Sequence, residues 1–114
     1  MLVFSTVPPV IVTAPSNYTA LEGSDLTLFC NATGNPQPDI TWTKIGDIIL
    51  LSTSETLNLT NLTGEDNGAV YNCEVNNSLG FDAVSASITV MCKFRLKKSV
   101  QKSAHVDTSL LYIL

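Results

Sequence analysis

Leu26-Thr27-Leu28-Phe29-Cys30-Asn31-Ala32-Thr33-Gly34-Asn35-Pro36-Gln37-Pro38-Asp39-Ile40-Thr41-Trp42 is the stretch that decides the fold of this chain. It opens on an alternating strand that ends in a cysteine, passes through a Gly/Asn/Pro breaker, and re-enters an alternating strand at a tryptophan. Cys73 lies 43 residues beyond Cys30, and Tyr71 stands two residues before it. That is the spacing of a disulfide between two sheets, packed against a core indole. Such a bridge belongs to an oxidising compartment and suits a recognition module better than an enzyme.

On both sides of this stretch, short strands separated by turn residues fill residues 9–91. Val10-Ile11-Val12 follows Pro8-Pro9 and reads as an edge strand, where a missing N–H is tolerated. Ala20-Leu21 leads into the turn Glu22-Gly23-Ser24. Leu26, Leu28 and Cys30 alternate with Thr27 and Phe29, and Ile40 and Trp42 alternate with Asp39 and Thr41. Ile48–Leu51 is another short strand, and Leu57 and Leu59 alternate before Leu62. Tyr71, Cys73 and Val75 share one face; Ala86, Ile88 and Val90 share one face of the last strand. The pattern predicts an all-β, antiparallel two-sheet sandwich, with both cysteines and Trp42 on the inward side of the pleat.

Leu26-x-Leu28-x-Cys30, Gly34-Asn35-Pro36-Gln37-Pro38-x-Ile40-x-Trp42, Leu57-x-Leu59-x-x-Leu62 and Asp66-x-Gly68…Tyr71-x-Cys73 closely resemble the immunoglobulin superfamily, intermediate (I-set) type. The resemblance covers residues 8–91, leaving 1–7 as a flank and 92–114 as a basic tail read as irregular or non-native. It implies an immunoglobulin-like sandwich with a Cys30–Cys73 bridge, Trp42 packed in the core, and a Tyr71 hydroxyl bonded back to the backbone at a tyrosine corner. Ala69 and Val70 both lie between Gly68 and Tyr71 where the family usually has one residue; a bulge would absorb the extra one. The short stretch between Trp42 and Leu57 resembles the I-set and constant-2 types rather than variable domains.

By the same resemblance the expected function is extracellular protein–protein recognition, as in cell-adhesion molecules and cell-surface receptors. The alternative is a spacer module in an extracellular-matrix array of the hemicentin-like kind. The expected partner is another protein, including a like immunoglobulin domain. Intracellular modules of giant muscle proteins share the pattern, but the cysteine pair and the sequons below argue against that setting.

The 114 residues are 45% hydrophobic and 14% charged, which suits one packed domain. Residues 1–90 carry nine acids and one base, Lys44, whereas residues 91–114 carry five bases and Asp107. An acidic module of this kind is a poor binder of nucleic acid, where phosphate contacts need clustered Lys and Arg. His105 is the single histidine and sits in the tail, so no Ser-His-Asp or Cys-His pair is expected in the domain. The acids follow no metal-ligand spacing, and no phosphate or dinucleotide motif occurs. Neither an enzyme, a metal nor a cofactor is expected. No run of 18 apolar residues occurs to span a membrane, and Met1–Val7 does not make a complete secretory signal. The expected location is nonetheless the cell surface or extracellular space, with the chain a fragment or partial product of a longer one.

Asn-x-Ser/Thr acceptors for N-glycosylation begin at Asn17, Asn31, Asn58, Asn61 and Asn76, none with proline at x. Asn31, Asn58 and Asn76 each adjoin an inward residue and so are expected to point outward. The usual strand assignment puts Asn17, Asn31 and Asn58 on or beside strands of the A-B-E-D sheet, which glycans would shield, leaving the C-F-G sheet, with only Asn76 near its loop, for partners. Cys92 is left as a free or intermolecular thiol. The alternation of Ile88, Val90, Cys92, Phe94 and Leu96 predicts that the last strand runs past the usual domain end.

Overall fold

The computed structural model describes the backbone of residues 5–95 and 110–113 and the side chains of residues 5–92. The described elements are strands β1 (Val7–Thr13), β2 (Tyr18–Leu21), β3 (Leu26–Phe29), β4 (Asn31–Asn35), β5 (Asp39–Lys44), β6 (Leu50–Ser52), β7 (Thr56–Leu59), β8 (Val70–Asn77), β9 (Gly80–Arg95) and β10 (Leu110–Ile113), with one 3-10 turn at Gly64–Asp66. Two layers result, as the alternation predicts.

In the smaller layer, β3 pairs antiparallel with β7 and β4 pairs antiparallel with β1. β3 and β4 are one run interrupted at Cys30, so the layer has three strand positions. In the larger layer, β9 pairs with β8, β8 with β5, and β5 with β6, all antiparallel. β2 adds to β9 in parallel, and β10 adds antiparallel to its far end.

Two expectations are corrected here. Among the described residues the smaller sheet has no fourth strand, because only Ile45–Glu55 separate β5 from β7 and the strand in that interval, β6, pairs with β5 instead. Asn17 does not join the smaller sheet. The first strand breaks around Pro15, and its second half, β2, crosses to the edge of β9, carrying Asn17 with it.

The core forms where the inward faces meet. Leu28, Leu57 and Leu62 come from the smaller layer and its following loop; Trp42, Tyr71, Val75, Ile88 and Val90 come from the larger one. Cys30 and Cys73 join the layers in a disulfide, and both are fully buried beside a Trp42 that is 0% exposed. The Trp42 indole N–H is not left unpaired; it donates to the Ser54 carbonyl at 3.0 Å.

Gly68 shows how the chain absorbs its additional residue. The Gly68 N–H donates to the Ile88 carbonyl at 2.8 Å, and the Ile88 N–H donates to the Ala69 carbonyl at 2.9 Å. Two residues thus oppose one, with Gly68 at φ +84°, which is a bulge with glycine in its left-handed position. Tyr71 and Cys73 are restored to the inward face beyond it.

The tyrosine-corner bond expected for Tyr71 is not made. The ring is buried, but no described residue accepts from its hydroxyl; the nearby Asp66 carboxylate instead accepts from the Thr63 N–H at 2.8 Å. Burial, followed by the charge of Asp66, pushes the Tyr71 phenol above its usual pKa.

β9 runs on to Arg95, in line with the alternation of Ile88, Val90 and Cys92, and β10 pairs with residues 92–95, so the described part of the tail is strand rather than irregular. Residues 1–4 of the flank and 96–109 and 114 of the tail lie outside the described residues. Cys92 makes no disulfide and is half-buried; its Sγ lies 3.0 Å from where a Cβ on Gly64 would sit.

Candidate functional site

The outer face of the larger sheet can be laid out from its register. Leu50, Thr43, Asn72 and Ser85 form one row across β6, β5, β8 and β9. Thr41, Glu74 and Ala83 form the next row, and Asp39, Asn76 and Phe81 the last. All of these alternate with the buried residues Trp42, Tyr71, Cys73 and Ala86, so they face away from the core. The face is polar at its centre and apolar at two opposite corners, Leu50 and Phe81.

The corner at Leu50 is part of a longer apolar run. Ile45, Ile48, Ile49, Leu50 and Leu51 are all exposed, and Ile48 is 97% exposed. They occupy the β5–β6 hairpin, whose turn places Gly46 at φ +92° and closes with the Asp47 N–H on the Lys44 carbonyl. β6 pairs only with β5 among the described strands, so its other side is an open edge. An open edge bearing contiguous large apolar side chains is a surface for association. The uninterrupted run Ile48-Ile49-Leu50-Leu51 was the available signal in the sequence. A half-buried strand alternates, and this one does not.

The five sequons fall on both sheets. Asn58 lies on β7, exposed, with its Oδ1 accepting from the Thr27 hydroxyl at 2.9 Å. Asn61 follows β7 in a left-handed conformation, φ +50°, held by its N–H on Asp25. Asn31 is on β4, half-buried, and its Oδ1 is enclosed without a hydrogen-bond partner among the described residues. Asn76 sits on the outer face of the larger sheet between Asp39 and Phe81. Asn17 is exposed at the start of β2, where its Oδ1 accepts the Ser87 N–H at 2.9 Å. A division into one shielded and one free sheet therefore does not describe the placement. No sequon begins between Asn31 and Asn58, the interval that holds the β5–β6 hairpin.

Elsewhere the surface offers little for chemistry. A cleft beside β5 is lined by Pro38, Asp39, Ile40, Thr41, Ser54 and Glu55 among others, with carboxylates and hydroxyls but no histidine, cysteine or amine. Among the described residues, no three His, Cys, Asp or Glu side chains gather as metal ligands. No described helix is long and apolar enough to cross a membrane.

The immunoglobulin-domain family profile matches residues 8–77. The chain belongs to the immunoglobulin family. It is 37% identical over 86 residues to human myelin-associated glycoprotein, covering 74% of this chain and 14% of that protein. It is 39% identical over 97 residues to the human probable oxidoreductase PXDNL, covering 79% of this chain and 7% of that protein. The chain thus spans a small part of these relatives, and the match to PXDNL concerns that part alone. Among solved structures, the complex of Dpr2 Ig1-Ig2 with DIP-Theta Ig1-Ig3 is similar with a TM-score of 0.68 at 27% identity, covering 77% of this chain and 34% of the matched one. The immunoglobulin fold stands on these matches together with the geometry above, and the inter-sheet bridge on the geometry.

Proposed function

We propose that this domain is a non-enzymatic, extracellular protein-recognition module of a cell-adhesion molecule or receptor, and that it binds its partner through the β5–β6 hairpin. The observation that carries this reading is the run Ile45, Ile48, Ile49, Leu50 and Leu51, exposed in the β5–β6 turn and on the open β6 edge and free of sequons. Burying such side chains on association yields about 25 cal/mol per Å² of apolar surface before the costs of ordering. The disulfide and the five sequons support a secretory origin. The likeness to a chain of the complex between Dpr2 and DIP-Theta supports a partner that is itself an immunoglobulin protein.

The test is a glycan placed on the hairpin. Asp47→Asn with Ile49→Thr creates an acceptor at the turn without touching the core. The domain, fused to a dimerising tag and secreted, is compared with this variant in cell-surface staining and in bead self-aggregation. Loss of both signals with the added glycan, and retention when a glycan is added on β3, supports the reading; undiminished binding defeats it. The small share of each relative that the chain spans favours a second reading, a spacer in a longer array. In that reading the hairpin packs on a neighbouring module of the same chain, and the isolated domain stains no cells.

A further inference from the structure

β9 carries its own open edge, which the chain closes by different means. β2 pairs with β9 only over Ile88–Met91, and β10 only over Cys92–Arg95. Among the described residues no strand pairs with Gly80–Ser87 on that side. In an antiparallel ladder alternate residues turn their N–H away from the partner, and Ser87 does so toward Asn17; Ser85 and Ala83 share its parity and face the same edge. Two of these three donors are capped by side chains. The Ser87 N–H donates to Asn17 Oδ1, and the Ala83 N–H donates to Asp82 Oδ1 at 2.9 Å. The second Asp82 oxygen accepts the Ile11 N–H at 3.0 Å, which draws β1 alongside the same place. Ser85 lies between the two caps and is exposed, and the flanking Phe81 is 69% exposed.

Asn17 is also a sequon, Asn17-Tyr18-Thr19. Its Oδ1 is anchored on the edge, which leaves Nδ2, the atom a glycan would be joined to, beside the line along which another strand would add. Neighbouring strands lie about 4.8 Å apart, so an added strand and a first sugar would claim one space. We propose that an N-glycan on Asn17 is the guard of the open β9 edge, blocking strand addition at Ser85 while the β6 edge is left free to associate. This rests on the reading that the chain matures in the secretory pathway.

The experiment uses the full chain secreted from mammalian cells, with site occupancy read by peptide mapping and association by sedimentation velocity at tens of micromolar. Thr19→Ala removes the sequon but keeps Asn17 and its bond to Ser87. Occupancy at Asn17 is expected in the wild type, and Thr19→Ala is expected to raise the dimeric and larger fraction several-fold. Adding Ser85→Lys, a charge on the open edge, should return that fraction to the wild-type level. Should Thr19→Ala fail to be secreted, complete enzymatic removal of the glycans from the folded wild type, first sugar included, replaces it, with Ser85→Lys again as the control. Asn17 unmodified while other sequons are occupied overturns the proposal, as does a Thr19→Ala protein that associates no more than the wild type. If no sequon at all is modified, the secretory reading itself falls, and this inference with it.

Discussion

At the residue scale, Gly68 and Tyr71 show two different ways in which a position is held. Gly68 at φ +84° starts the bulge that keeps Tyr71 and Cys73 inward, and a Cβ there would meet nothing within 4 Å. The cost of Gly68→Ala is therefore conformational rather than steric, about 1–2 kcal/mol, and urea denaturation should show it. Tyr71 is held by burial. Its phenol pKa is raised in the folded state, so the folded protein keeps that proton more tightly than the unfolded chain does. The stability from this is fully present below about pH 10 and is lost as pH climbs through the folded value. Tyr71→Phe should therefore lose less stability than the wild type on going from pH 9 to pH 11, as read from thermal unfolding; equal losses would show that the phenol is not perturbed. The extra residue at Ala69-Val70 was visible in the sequence, but the bulge that takes it up was visible only in the pairing with Ile88.

At the element scale, the two open edges of the larger sheet are treated differently. The β9 edge is capped by Asn17 and Asp82, whereas the β6 edge is bare and apolar. Because Ile48 is almost wholly exposed, Ile48→Lys should leave stability within about 0.5 kcal/mol while weakening association through the hairpin. A large loss of stability would mean that Ile48 packs against something in the folded chain. The elements also rank the sequons. Asn58 is exposed with only its amide oxygen engaged, whereas Asn31 lies half-buried on a paired strand with its amide oxygen enclosed. Peptide mapping of the secreted protein should find Asn31 modified less than Asn58, and the reverse order would contradict the enclosure. Period-two alternation marked most strands correctly because their two faces differ in polarity. The usual strand assignment, rather than alternation, misplaced Asn17, since a strand that changes sheets carries the same local pattern as one that does not.

At the scale of the whole molecule, one covalent bridge and one apolar cluster hold two layers together. The Cys30–Cys73 bond closes a loop of 43 residues. On the chain-entropy model it contributes about 4 kcal/mol. Cys30→Ala with Cys73→Ala should lower stability by at least that order, since it also opens space beside Trp42, and equilibrium denaturation of the secreted protein would measure it. A change below about 1 kcal/mol would mean that the unfolded chain is already constrained.

The sandwich, its inward residues and the cysteine pair were all legible along the chain, because alternation and spacing are local records of which side of a strand meets the core. Trp42, Leu28 and Val75 were legible for that reason. Which sheet each strand joins was set by the folded pairing, and with it that β6 belongs with β5, that Asn17 caps β9, and that Ile48–Leu51 stands exposed in the turn leading onto the open β6 edge. Pairing across sheets is set by contacts between residues as far apart as Asn17 and Ser87, separated by 70 positions. No local pattern encodes that distance. The inside of this domain can thus be read along the chain, whereas its candidate binding surface, an edge, exists only once the strands have chosen their neighbours.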